Sequence, residues 1–257
     1  MSLPPLPPGT ILQHIYLKER LRLIGPGRFV EVGCGQGITS KILLDLGWTG
    51  IGYDLNPQSL ERARLLNKAA VEIGDYQVVN QNWLDSETTA PVDLVISCMV
   101  LEHLNDSDEE RYFQQCRQWL KPDGKVILLV PASPAYWGIE DEIAGHYRRY
   151  SLEEMPQKLS KFGYRENHLV ALTYPVSNLL YPLSEFLVAR AEKRKTALSM
   201  LERTRQSGNR KVFFKTHFPS ILKIVLNEVV MYPFHLLQKI HKNNAKALVM
   251  YLEATLL

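Results

Sequence analysis

Five residues of strand-like composition, Arg28-Phe29-Val30-Glu31-Val32, run directly into Gly33-Cys34-Gly35-Gln36-Gly37, and a helical pattern follows over residues 39–46. Glycines at a strand-to-helix junction allow a tight turn and let a ligand approach backbone N–H groups that a Cβ would shield. The same rhythm continues downstream. Gly47 closes the helix, residues 50–54 read as a second strand, and Asn56-Pro57 supplies an N-cap with proline at the first helical position. Residues 76–80 and 93–97 read as further strands, 109–120 as a helix, and Lys121-Pro122-Asp123-Gly124 as a turn into a fifth strand at 125–130. Five strands alternating with helices predict a parallel sheet covered on both faces.

Ahead of this core, Thr10 and Gln13 stand at capping-box spacing before Ile11, Leu12, Ile15, Leu17, Leu21 and Ile24, so a leading amphipathic helix is expected, stopped by Gly25-Pro26-Gly27. Ser151 and Glu154 repeat that spacing for a helix ending near Gly163; residues 164–172 and 247–253 read as the last two strands. The predicted organisation is a tail and leading helix at 1–27, a ligand-binding core at 28–172, a basic helical cap at 173–246 and a final strand of the core sheet at 247–257.

With 257 residues, 46% hydrophobic and 22% charged, the chain has the balance of a folded globular protein, which excludes disorder, collagen and coiled coil. A chain this long buries roughly 70–75% of its unfolded surface, so its core needs no staple. Cys34, Cys98 and Cys116 show neither disulfide nor zinc spacing, and the seven histidines include no HExxH pair, so no metal site is expected. The proline-rich start lacks the charge of a signal peptide, and no stretch approaches the ~18–20 apolar residues of a membrane span. The expectation is a cytoplasmic protein.

Charge is uneven. Residues 186–257 hold 13 Lys and Arg against 4 Asp and Glu, a surplus of nine, while the rest holds 17 against 23, a deficit of six. The basic residues, among them Lys193-Arg194-Lys195 and Arg210-Lys211, surround apolar stretches interrupted by Pro175, Pro182, Pro219 and Pro233. Leu222, Val225, Leu226, Val229 and Val230 share one face if 221–237 is helical. That stripe can pack on the core, line a lipophilic pocket or lie peripherally on the inner membrane surface. No nucleic-acid reading motif accompanies it beyond sparse aromatics such as Phe213-Phe214.

The glycine spacing differs from a dinucleotide fingerprint, whose third glycine would fall at position 38, an isoleucine. Asp54, closing the second strand, is placed to accept from the hydroxyls of a ribose, which nicotinamide and adenosyl ligands share. The ordered set Val30-Glu31-Val32-Gly33-Cys34-Gly35-Gln36-Gly37, Asp54, Pro91-Val92-Asp93-Leu94-Val95-Ile96, Val100-Leu101-Glu102-His103-Leu104 and Leu120-Lys121-Pro122-Asp123-Gly124-Lys125 resembles the class I S-adenosylmethionine-dependent methyltransferases, in particular their type 11/12 small-molecule group. The resemblance covers residues 28 to about 165. It implies an α/β, Rossmann-like sandwich with a seven-stranded, mostly parallel sheet and a helical insertion before the last strand.

It also implies S-adenosyl-L-methionine as cofactor and S-adenosyl-L-homocysteine as product. Gly33, Gly35 and Gly37 would pass under the methionine part, Glu31 would hold its ammonium, Asp54 the ribose, and Leu55 and Trp83 the adenine ring. Asn82 stands where the family usually has an acid for the adenine amino group, and the backbone near Cys34 and Cys98 would flank the methionine chain. Methyl transfer to a hydroxyl needs alignment and a proton acceptor. Glu102 and His103 follow the fourth strand at the ligand-binding edge of such sheets, and His103 is the first candidate base.

A second cluster, Asp141-Glu142-Ile143-Ala144-Gly145-His146-Tyr147-Arg148-Arg149-Tyr150, resembles a DExxGHxRRY segment of some of these methyltransferases. It offers His146 as the alternative base. Tyr147, Arg148, Arg149 and Tyr150 are candidates to bind an anionic substrate group or to close a lid over residues 131–150. Ser97-Cys98-Met99-Val100 replaces the Pro-Pro motif of base N-methylation. The expected reaction is therefore O-methylation of a small or lipid-linked metabolite, ahead of N- or C-methylation. A catalytically silent cofactor-binding adaptor and a nicotinamide-dependent reductase are the rival readings.

Overall fold

The computed structural model describes residues 4–88, 90–192, 203, 212 and 214–257. Helix α1 spans Pro8–Ile24. It starts three residues earlier than its capping-box spacing suggests: Pro7 is the N-cap, no side chain caps the end, and Thr10 and Gln13 lie within the helix. Proline suits the first turn because its missing N–H would be unpaired there anyway. β1 (Arg28–Val32), α2 (Ile38–Asp45), β2 (Thr49–Tyr53), α3 (Pro57–Leu66), α4 (Lys68–Glu72) and β3 (Tyr76–Val79) then alternate. Asn56 Oδ1 caps α3 by accepting from the N–H groups of Gln58 and Ser59.

β4 (Val92–Cys98), α5 (Asp106–Trp119) and β5 (Leu120–Pro131) follow. α5 begins three residues before the expected start, because Asn105 caps it and Asp106 and Asp108 fill its first turn. The expected turn at 121–124 is instead drawn into β5, which pairs from Leu120 with a register break opposite Val92 and Leu94. After α6 (Ile139–Ala144), α7 (Met155–Lys161) starts without a side-chain cap; Ser151 instead accepts from the Glu153 N–H in the turn before it. β6 (Tyr164–Leu172), α8 (Val176–Glu192), α9 (Glu228–Ile240) and β7 (Val249–Leu256) complete the described elements.

The seven strands lie in the order β3-β2-β1-β4-β5-β7-β6, with β1 to β5 parallel and β7 antiparallel to both neighbours. Strand residues alternate between two buried layers. Val30, Val95 and Val126 join α5 and α7 around Trp83, Tyr112 and Trp119, while Phe29, Leu94 and Ile127 join α1 and α2 around Leu17, Leu43 and Tyr76. β1 lies between β2 and β4, so the connections leaving β1 and β4 diverge and open a crevice at their carboxyl ends.

The described parts of the segment between β6 and β7 fold back over that crevice. Pro182 and Pro233 sit inside α8 and α9 rather than ending them. Glu185 accepts from the first N–H groups of α6, at Ile139 and Glu140, and the Tyr181 hydroxyl donates to Tyr136 O. α9 buries Met231, His235 and Gln238, with Met231 against Ile11, Leu12 and Ile15 of α1. The expected stripe is not one helical face: Leu222 lies in a short 3-10 turn, Ser220–Ile224, Val225 and Leu226 precede α9, and Val225, Val229 and Val230 are exposed. Asn227 breaks the run by capping α9. Lys193-Arg194-Lys195, Arg210-Lys211 and Phe213 lie outside the described residues. Among those described, no helix is long and apolar enough to cross a membrane.

Candidate functional site

A cleft of about 1020 Å³ opens at the carboxyl ends of β1, β2 and β4, walled by α1 on one side and by the β6–β7 insertion on the other. Its floor is the glycine loop. Gly35 has φ +51°, and a Cβ placed there would meet nothing within 4 Å, so the loop leaves open space over its backbone. Gly37, at φ +77°, instead serves packing, since a Cβ would come within 2.9 Å of the Ala63 Cβ. The Gly35 N–H donates to Asp54 Oδ2 at 2.9 Å and the Asn56 N–H to Asp54 Oδ1 at 2.8 Å. Burial raises the pKa of Asp54 against the pull of those bonds. Backbone N–H groups, that of Leu55 included, thus engage both oxygens without using all four of their lone pairs.

Glu31, next to last in β1, lies beneath the loop, is 2% exposed and accepts from the Ser40 hydroxyl. Burial pushes its pKa up to about 8, with the Ser40 and Thr39 hydrogen bonds opposing and Asp54 adding to the rise. Cys34 and Cys98 border the same region, and burial raises both thiols, so neither is an activated nucleophile. Asn82 Oδ1 accepts from the Leu84 N–H and its amide donates to Asp85, so the side chain caps a one-turn 3-10 helix. Trp83 lines the cleft yet is 2% exposed and packs on Tyr112 and Trp119; Leu55 is exposed at the rim.

The second half of the site joins two segments that lie about forty residues apart. A 3-10 turn, Leu101–His103, follows β4 and points Glu102 and His103 at the residues after α6. The His103 and His146 rings lie 4.7 Å apart, edge to face, and His146 Nε2 is 4.0 Å from Glu102 Oε1. Behind it, His146 Nδ1 is 2.8 Å from Asp141 Oδ1, and Arg149 Nε donates to both oxygens of Asp141 at 3.0 and 2.9 Å. Burial raises the pKa of Glu102 to about 7 and, with the charge of His146, lowers that of His103 to about 3. The sequence showed no such histidine–carboxylate cluster because its members are not close in the chain. In the fold, Glu102, His103 and His146 present ligand atoms within 4.8 Å of one another.

The arginine pair does not stand open to a ligand as its sequence suggested. Arg148 donates to Glu109 Oε2 and Leu104 O and pairs with Asp106, and the Tyr150 hydroxyl donates to Glu109 Oε1; neither lines the cleft. Buried Glu109 draws them inward, together with Lys158. Arg149 reaches the cleft wall with its Nε committed to Asp141, while Tyr147 is exposed at the mouth. Three contributors escaped the sequence reading. Asp141 was visible only as the start of the DExxGHxRRY segment. His14, whose pKa burial lowers to about 4, and Gln13 reach the cleft from α1, whose helical pattern signalled packing alone.

A family model described as a methyltransferase domain matches residues 10–169. The ubiquinone biosynthesis O-methyltransferase of Xanthomonas oryzae pv. oryzae is 35% identical over 114 residues, 44% of this chain and 46% of that protein. The protein of the same name from Idiomarina loihiensis is 35% identical over 104 residues, 39% and 41% respectively. The chain spans about half the length of the curated relatives it matches. Among solved structures, a SAM-dependent methyltransferase from Thiobacillus denitrificans in complex with S-adenosyl-L-homocysteine aligns at a TM-score of 0.56 and 15% identity, over 98% of this chain and 93% of that one. The 1,6-didemethyltoxoflavin-N1-methyltransferase of Burkholderia thailandensis aligns at 0.52 and 17% identity, over 65% and 73%. At those identities the likeness is one of fold, the α/β Rossmann-like methyltransferase sandwich. By the family match across residues 10–169, which covers the glycine loop, Asp54 and the cluster at Glu102 and His146, this chain belongs to the methyltransferase-domain family.

Proposed function

We propose that this protein transfers a methyl group from S-adenosyl-L-methionine to an oxygen of a small or lipid-linked acceptor. The observation that carries the reading is the unobstructed backbone at Gly35, tied to a carboxylate at the end of β2 that keeps lone pairs to spare. These residues fit the cofactor: Asp54 would take its ribose hydroxyls, Glu31 its ammonium, and Leu55 and Trp83 its adenine. When bound, the cofactor supplies a methyl group already activated on a positive sulfur. The chain's own task is then to align the acceptor, keep water out and assist loss of the acceptor's proton.

Proton loss falls to the cluster of Glu102, His103 and His146, three titratable groups that line the cleft after β4 and α6. The apolar wall contributed by the insertion, including Leu180, Leu183, Phe214 and Phe218, suits an acceptor with a hydrocarbon portion. The exposed Leu179, Phe186, Ile221 and Ile224 on the same insertion support peripheral contact with a membrane holding a lipid-linked acceptor. The reaction is then cytoplasmic, at the inner membrane surface.

The test pairs binding with product. Thermal stabilisation by S-adenosyl-L-homocysteine and none by NAD or NADP is expected, followed by transfer of labelled methyl from the cofactor to a compound in a metabolite or lipid extract. Stabilisation without product in any extract would leave the silent adaptor, and stabilisation by a nicotinamide nucleotide alone would replace the reading with the reductase. Asp54→Ala should weaken S-adenosyl-L-homocysteine at least tenfold by calorimetry.

A further inference from the structure

We propose that Glu102, His103 and His146 form a binding site for a divalent transition-metal cation of the Zn2+ kind at the acceptor end of the cleft. One ligand atom from each lies within 4.8 Å of the other two, and His146 Nε2 stands 4.0 Å from Glu102 Oε1. Groups ligating one ion at ~2.0–2.2 Å stand ~3.3 Å apart at a tetrahedral angle and up to ~4.2 Å apart when opposed. A small inward movement of the side chains therefore closes the set.

The second observation is Glu102 itself. It is fully buried, and among the described residues neither carboxylate oxygen receives a hydrogen bond. Buried carboxylates are otherwise held by donors or by cations, because an unpaired one forfeits its hydration for nothing. The His146 imidazole, at 4.0 Å, is too far away to donate to it.

The surroundings of the two histidines complete the pattern. The Asp141 carboxylate holds His146 at Nδ1, which directs Nε2 toward Glu102, and Asp141 is fixed in turn by Arg149 and by the Gly138 N–H. The Gly145 carbonyl lies 3.4 Å from His103 Nδ1. A ligating imidazole is characteristically oriented by a carboxylate or backbone carbonyl at its other nitrogen. Two imidazoles and one carboxylate suit Zn2+, whereas Mg2+, Ca2+ and Mn2+ favour oxygen sets.

All three residues line the cleft, so the remaining coordination positions face it. Deepening the methyl-transfer reading, and resting on it, the cation would lower the pKa of an acceptor hydroxyl there. The O–H bond breaks, its proton passes to water, and its electron pair stays on the oxygen; as that oxygen bonds to the methyl carbon the C–S bond breaks, its pair returning to sulfur to leave S-adenosyl-L-homocysteine. The histidines then act as ligands rather than as bases.

The test uses the full chain freed of metal with a chelator and titrated with Zn2+, Co2+, Mn2+ and Mg2+ by calorimetry, with Co2+ also read by its visible absorption. One equivalent of Zn2+ or Co2+ is expected, without the thiolate charge-transfer bands that binding at a cysteine would give. The His103→Ala/His146→Ala double variant should bind at least 100-fold more weakly and Asp141→Asn 10- to 100-fold more weakly. Retained stabilisation by S-adenosyl-L-homocysteine certifies that each variant is folded. Equal binding by wild type and the double variant, or no uptake by wild type, overturns the site. Methyl transfer undiminished in the chelated protein overturns its catalytic part and leaves the histidines as bases. Loss of S-adenosyl-L-homocysteine binding in the wild type would instead remove the methyl-transfer reading while the metal titration still stands.

Discussion

Glu31 shows how a single buried side chain couples ligand binding to pH. Burial raises its pKa to about 8, so the unliganded protein holds it protonated at neutral pH. Because the folded value lies above the unfolded one, its contribution to stability is fully present below the unfolded pKa and is lost as pH rises through about 8. A ligand ammonium beside it favours the ionised form. Binding of S-adenosyl-L-homocysteine at pH 7 should therefore release about one proton, read as a dependence of the calorimetric enthalpy on buffer ionisation heat. Affinity should rise up to about tenfold per pH unit toward pH 8. An enthalpy independent of buffer would show that Glu31 does not meet the ammonium. Replacing Glu31 with Gln should abolish the proton release.

Elements are tied around the site by a second buried carboxylate. Glu109, in the first turn of α5, accepts from Arg148 and Tyr150 of the segment before α7 and from Lys158 of α7 itself. Removing one partner from such a network leaves the others desolvated and unpaired. Glu109→Ala should cost about 3–5 kcal/mol in urea denaturation, and Arg148→Ala, whose side chain is more exposed, should cost less. The order of these two losses is the check. This network was unreadable in the sequence, where Arg148 and Tyr150 looked like ligand-binding groups because they sit in a polar segment. Their partner lies forty residues earlier, and only the packing of α5 against that segment brings it near. The Asn56 cap with Pro57, by contrast, was legible because an N-cap acts within three residues.

Across the whole molecule, the cleft joins α1, the core sheet and the β6–β7 insertion. A ligand filling it binds only the folded state and stabilises all three together. At 100 times its dissociation constant S-adenosyl-L-homocysteine should add ~2.7 kcal/mol. For a chain of this size that is a rise in Tm of about 5–10 °C, as a single shifted transition. Two transitions, with the ligand moving one of them, would show that the insertion unfolds independently of the core.

The sequence by itself determined the alternation of strands and helices, the glycine loop, Glu31 and Asp54 at strand ends, and the late insertion. All of these are written in local periodicity, turn chemistry and spacing along the chain. Only the tertiary structure decided that Glu102, His103 and His146 converge, that Arg148 faces inward and that α1 walls the cleft. Those facts depend on which distant segments the sheet order places side by side, and no local preference encodes that placement.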